Sequence, residues 1–364
     1  MENNRRTFLK YTGATVLAPT LPQILRPNTA LAQEDWKPTH SIRMFIQFAA
    51  GGGTDVNLRT LAKGMGEALG QSVNCINMTG ALGSIAATHV YNQPSDGYTL
   101  LGAADFSRYF RISDVNKTIA WKDWQYFQFA VSLASWSVLP SSPIKSFEDL
   151  IKMAKAKPDT IKVSTDGKGG LWAEAMAIVA DAAGFTFKNI PYDGGAPATL
   201  ACLQGEVEVA GSGVHEQVEF IRAGKLRNLA TFSNVDIEIP GVGVLKSITG
   251  IVPATKPFAP FGGMYNVALK RDTPKPILMA YKKAIVQGIE TSDFQEMLEK
   301  RYMKKQFVSS AEADKKAARL ECGSAWLYQK LGIAKNSPES LGLPKPEDFD
   351  KWWPPKDYKP SMVD

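Results

Sequence analysis

Within residues 42–101 the chain carries three glycine punctuations, and two of them each follow an apolar run and open a helical pattern. They are Gly51-Gly52-Gly53-Thr54-Asp55, Asn77-Met78-Thr79-Gly80-Ala81-Leu82-Gly83 and Asp96-Gly97-Tyr98-Thr99-Leu100. Residues 42–48 read as a buried strand, and after the glycines Leu58, Leu61, Ala62, Met65 and Leu69 recur at helical spacing. Residues 73–76 and 84–91 repeat the plan. A strand that turns through glycine into a helix leaves free N–H groups at the helix N-terminus, where the macrodipole favours negative charge and glycine admits a ligand. Two adjacent loops of this kind predict a carboxylate or phosphate site.

The same device returns in the second half of the chain. A strand at 161–163 runs into Ser164-Thr165-Asp166-Gly167-Lys168-Gly169-Gly170 and then a helix at 171–183. Strands at 188–191, 207–210 and 228–231 alternate with helices at 196–204 and 217–223, which predicts an α/β unit. The proline-bearing stretches 138–143 and 258–261 read as crossings between two lobes. A strand at 264–269 and helices at 276–289, 293–300 and 311–331 are expected to pack back on the first lobe. Residues 336–364 hold six prolines without periodicity and read as an extended tail pinned by Trp352 and Trp353.

Arg5-Arg6-Thr7-Phe8-Leu9-Lys10, a short apolar stretch and Ala30-Leu31-Ala32 have the order of a twin-arginine export signal, cleaved before Gln33. The expected organisation is therefore a signal at 1–32, lobe 1 at 33–139, lobe 2 at 140–257, a return to lobe 1 at 258–333 and a tail at 334–364. Losing Arg5, Arg6, Lys10 and Arg26 together with Glu2 brings the net charge from +6 to +3, too mild to argue for nucleic acid. The three cysteines, Cys75, Cys202 and Cys322, have no partner at redox or zinc spacing, and the three histidines are scattered, so no metal or cofactor is expected. Cys75 and Cys322 fall in the same lobe and are the one pair to test for a disulfide.

These motifs in this order resemble the exported receptors of the tripartite tricarboxylate transporter system, the Bug family. Its Gly-Gly-x-x-Asp, Asn-x-x-Gly-Ala-x-Gly and Asp-Gly-Tyr-Thr-Leu elements correspond to the three punctuations above. Pro191-Tyr192-Asp193-Gly194-Gly195-Ala196-Pro197-Ala198 and Ala223-Gly224-Lys225-Leu226-Arg227-Asn228-Leu229-Ala230 resemble two further family elements. The likeness covers about 42–333. It implies a type II periplasmic binding protein fold: two α/β lobes, each a sheet flanked by helices, joined by two crossings, with a cleft that closes on an organic anion. By position, the ligand contacts fall on Gly51, Gly52, Thr54, Asp55, Thr79, Gly80, Ala81 and Gly83 in lobe 1. In lobe 2 they fall on Thr165, Gly167, Lys168, Gly169, Tyr192 and Asp193. Gln47 stands where many members have proline, and Gly170 where many have serine.

Several of these residues have a second reading. Asp55 either caps its own helix or meets ligand, and a bare carboxylate repels an anion. Lys168 is either a solvated loop charge or a ligand partner, and Phe48, Phe106 and Trp172 serve either packing or stacking. Tyr98 and Leu100 read as core. The functional expectation is a non-enzymatic, monomeric periplasmic receptor that hands a small mono- or dicarboxylate, aromatic acids included, to membrane permease subunits. Alternatives are a ligand sensor with a signalling partner, or an exported enzyme, against which no catalytic arrangement or nucleotide loop can be read.

Overall fold

The apolar run at 42–46 is buried along almost its whole length, as a central parallel strand requires: Ile42, Met44 and Ile46 are inaccessible and Phe45 nearly so. The computed structural model describes residues 36–361 and 363; the export signal expected at 1–32 lies outside them. The first punctuations give β1 (Ile42–Ile46), α1 (Gly53–Leu69), β2 (Val73–Asn77), α2 (Ser84–Tyr91) and β3 (Thr99–Ala104). Then come β4 (Trp124–Val131), β5 (Ala134–Val138), β6 (Lys162–Thr165), β7 (Lys188–Pro191), β8 (Val209–Gly213) and β9 (Arg227–Thr231). A hairpin, β10 (Ile237–Ile239) and β11 (Gly243–Leu245), precedes β12 (Met264–Lys270) and β13 (Lys304–Val308).

Among the described residues these strands form two main sheets on one plan. The first has the order β13-β4-β12-β3-β1-β2 and the second β7-β6-β8-β5-β9. In each, one strand lies parallel between two others, β1 between β2 and β3, and β6 between β7 and β8. Antiparallel strands complete each sheet, β12, β4 and β13 in the first and β5 and β9 in the second. Parallel strands need helical crossovers, so each parallel core is flanked by helices and its strand ends carry the glycine turns.

The chain changes sheet at Ser132-Leu133, between β4 and β5, earlier than the stretch at 138–143 that reads as a crossing. Residues 124–130 and 134–138 are buried throughout, without alternation or a turn residue at the junction, so the passage carries no glycine or proline signal. The return passage runs alongside it: Ser132 N–H donates to Gly263 O at 2.8 Å and Ala134 N–H to Phe261 O at 2.9 Å. Gly262 is required there, because a Cβ would lie 2.1 Å from Ser132 O.

The helix Phe147–Ala156 starts on a reciprocal Ser146–Asp149 cap, and Leu171–Ala183, Lys275–Ile289 and Ser310–Lys330 lie close to their expected bounds. The tail is folded rather than extended. It makes short helical turns at Pro346–Asp348 and Phe349–Trp352, and Trp352 and Trp353 both pack edge-on against Trp121. All three cysteines are free thiols; Cys75 lies on β2 and Cys322 on Ser310–Lys330, where its Sγ faces Pro344 O. No helix among the described residues is long and apolar enough to cross a membrane.

Candidate ligand cleft

The first glycine loop is tied down from within. Gly51 adopts φ +79°, and its N–H donates to Asp55 Oδ2 at 2.9 Å. Asp55 Oδ1 accepts from Asn77 Nδ2 at 2.8 Å and Arg59 Nε at 2.7 Å, and Asn77 Nδ2 also donates to Phe48 O at 2.9 Å. The buried Asp55 carboxylate therefore knots the first loop to the second, and none of these donors is a first-turn N–H of α1. Gly52 is the N-cap of α1, and Thr54 is buried in its first turn.

The second loop has four consecutive residues at positive φ: Gly80 at 112°, Ala81 at 47°, Leu82 at 57° and Gly83 at 86°. Holding non-glycine residues there costs about 1–2 kcal/mol each, a strain that surrounding structure must enforce. Gly83 packs on Gln47, whose Cβ lies 2.7 Å from where its own Cβ would be. Thr79 Oγ1 reaches across to Asp193 Oδ2 at 3.3 Å.

In the second lobe Thr165 is buried, its hydroxyl donating to Asn189 Oδ1 at 2.6 Å. Asp166 turns inward and caps the helix Leu171–Ala183, accepting from Leu171 N at 3.0 Å and Trp172 N at 2.8 Å. Gly167 faces Leu82 of the first lobe, and Gly169 faces Tyr328. Tyr192 turns its hydroxyl to Glu206 Oε2 at 3.0 Å, while Asp193 O accepts the Ala49 N–H at 3.0 Å. Of these contacts, Gly167–Leu82, Gly169–Tyr328 and Asp193–Ala49 join the two lobes.

Two of the spaces along the seam are bordered by residues expected at the site. A groove of about 1610 Å³ is lined by Gly80, Ala81, Gly83, Gly167, Lys168, Gly169, Tyr192 and Asp193 of the expected residues, with Phe48, Leu82, Val115, Phe185, Phe187 and Ile333 as an apolar wall. Deeper between the lobes, Gly52 and Thr54 border a void of about 30 Å³ together with Asp105, Asp166, Trp172, Glu216 and Tyr265. That is about one water's share of liquid volume, too small for an organic acid. Gly51, Asp55, Thr79 and Thr165 line neither space. Phe106 is buried in packing, Trp172 is buried and borders the deep void, and Phe48 borders both spaces.

The deep void is lined by groups that burial drives toward neutrality. Burial pushes Asp105 and Asp166 up to about 7 and raises Glu216. Burial, helped by the charge of Arg301, lowers His215 to about 3, and its Nε2 pairs with Tyr265 OH at 2.9 Å. Sequence reasoning missed Asp105, His215, Glu216 and Tyr265. Glu216 had a signal, since it stands three residues after Gly213 at capping-box spacing; Asp105 at a strand end had none. Among the described residues no group of three or more His, Cys, Asp or Glu side chains could hold a metal ion.

Two lobes of matching plan, paired crossings and facing glycine loops define a solute-binding receptor of the periplasmic type, not an enzyme. Residues 57–331 match the tripartite tricarboxylate transporter family receptor model, and the chain belongs to that family, as the motif order implied. It is similar to the UPF0065 protein in the gbd 5' region of Cupriavidus necator, 31% identical over 337 residues that cover 91% of this chain and 99% of that one. The fold is shared with the periplasmic binding protein BugD at TM-score 0.73 and 24% identity, covering 82% of this chain and 100% of that one. It is also shared with Rpa4515 of R. palustris, solved with adipate, at TM-score 0.69 and 23% identity, covering 82% and 99%.

Proposed function

We propose that this chain is an exported receptor that captures an organic carboxylate in the interlobe cleft and hands it to a tripartite tricarboxylate-type permease. The observation that carries this reading is the Gly80-Ala81-Leu82-Gly83 loop. Its run of left-handed residues forms a backbone concavity of the kind that binds anions, and it opens on a groove with an apolar wall and Lys168 opposite. A carboxylate held at Gly80 and Ala81, with Gly83 closing the turn through its N–H to Gly80 O at 2.9 Å, Lys168 near its other end and its body on Phe48 and Leu82, matches that chemistry. Rpa4515 with adipate supports the same class of ligand. The paired arginines at Arg5-Arg6 support export by the twin-arginine route.

The test is mass spectrometry of small acids released on denaturing the purified protein, followed by thermal melts with a carboxylate panel. A true ligand at about a hundred times its Kd adds about 2.7 kcal/mol of stability. No released acid and no shift across the panel would defeat the proposal.

A further inference from the structure

Both the first turn of α1 and the N-terminus of the helix Val214–Arg222 point at one carboxylate, and it belongs to the protein. Glu216 Oε1 accepts the Gly53 N–H at 3.0 Å, and Oε2 accepts the Gly213 N–H at 3.0 Å. First-turn N–H groups have no partner within their own helix and sit at the positive end of the macrodipole, so an anion is their natural complement. Gly53 belongs to the first lobe and Glu216 to the second, so the hydrogen bond spans the cleft.

The surroundings are shaped to this carboxylate. A Cβ on Gly195 would come within 1.7 Å of Glu216 Oε2, and one on Gly53 within 2.0 Å of His215 Nε2, so neither position accepts a side chain as packed. His215 Nε2 lies 3.7 Å from Glu216 Oε1, and Arg301, which donates to His215 O at 3.4 Å, contributes positive charge from the first-lobe side. The adjoining void, about 30 Å³, leaves no room for a second carboxylate.

We infer that Glu216 is a resident carboxyl group: it fills the seat at the α1 N-terminus, holds the lobes together there, and bars a ligand carboxylate from that seat unless displaced. The inference deepens the receptor reading by dividing the two glycine loops. The first is occupied from within, and the second is left to select the ligand. Glu216 thus acts as a specificity determinant against acids that need both loops.

The experiment compares wild type, Glu216→Gln and Glu216→Ala by hydrogen exchange over residues 51–56 and by thermal melting, with acetate in excess as the probe. In Glu216→Ala the vacated seat is expected to take acetate, which slows exchange at 51–56 and raises Tm by more than in wild type, while wild-type exchange at 51–56 is unchanged. In Glu216→Gln the amide nitrogen cannot accept, so either Gly53 or Gly213 loses its partner, and exchange quickens by at least about tenfold at 51–56 or at 213. Exchange equal to wild type at both 51–56 and 213 in the Gln variant, or a folded Ala variant indifferent to acetate, overturns the inference. If the Ala variant fails to fold, the Gln variant decides. Acetate needs no knowledge of the natural ligand, so an empty mass spectrum together with a flat carboxylate panel would defeat the carboxylate-receptor proposal without touching this result.

Discussion

Arg108 Nη2 lies 2.6 Å from Glu174 Oε2, and this ion pair joins the lobes almost out of reach of water, with side-chain exposures of 1% and 4%. Arg108 follows β3 in the first lobe, and Glu174 stands in the first turn of Leu171–Ala183 in the second. Tyr109 OH donates to the same carboxylate oxygen at 2.6 Å, and the guanidinium lies over the rings of Tyr109 and Phe261. Arg108 Nε and Nη1 are buried without a hydrogen-bond partner among the described residues. The two lobes are thus held by a pair that would regain hydration if they parted.

Glu174→Gln strands the buried guanidinium and is expected to cost about 3–5 kcal/mol in urea unfolding. Adding Arg108→Met to it should return part of that loss, because no charge then remains to be desolvated. A double variant no better than the single one would show that the pair acts through packing alone.

Stability should fall as pH rises from about 5 to about 7. Asp105 and Asp166 titrate near 7 when folded and near 3.8 when unfolded, so across that interval the folded state binds more protons. Their contribution is intact below the unfolded value and is lost as pH climbs through the folded one. Each unit of difference corresponds to about 1.4 kcal/mol per group. His215, ordinarily near 6.5 and lowered to about 3, works the other way, but one histidine opposes two aspartates, and Glu216 and Glu321 are also raised by burial. Asp105→Asn keeps the acceptor for Met264 N–H and suits the φ of +53°. Its Tm should exceed wild type at pH 8, and the advantage should vanish at pH 4.

Truncation before Lys345 should lower Tm by several degrees and shift tryptophan emission to the red. The lost segment covers Trp121 with Trp352 and Trp353, supplies Lys359 O to Arg271 Nη2 at 3.1 Å, and buries Val363. Uncovering one large apolar side chain costs about 1.5–3 kcal/mol. An unchanged melt would mean the tail merely rests on the lobe.

The glycine turns were legible because each marks a backbone requirement that only a few residues satisfy: Gly80, Gly83, Gly167 and Gly169 all have positive φ. β1, β6 and the long helices followed from periodicity for the same reason. β4 and β5 were not legible, since residues buried on both faces show no alternation, and β13 is a short, exposed strand starting at Lys304. In the cleft, sequence order gave the loops but not their occupancy. Asp166 and Glu216 turn inward to satisfy helix N-termini, Asp55 turns inward to tie the two loops together, and only Glu216 does so across the lobes. The same carboxylates, read along the chain, are indistinguishable from solvent-facing acids.

Gly80→Val should abolish any ligand-induced rise in Tm while leaving the circular dichroism spectrum unchanged. Gly80 has φ +112°, a conformation closed to a β-branched residue, and its Cβ would reach Ile85 Cδ1 at 2.7 Å. The loop must therefore turn its N–H groups away from the groove, whereas α2 behind it can persist. Gly70→Ala is the matched control: it too has φ +70°, caps the far end of α1 and meets nothing within 4 Å, so it carries a backbone cost remote from the groove. If Gly80→Val binds as wild type does, or if Gly70→Ala loses binding to the same degree, the second loop is not the anion seat and ligand recognition must lie with the second-lobe loop around Lys168.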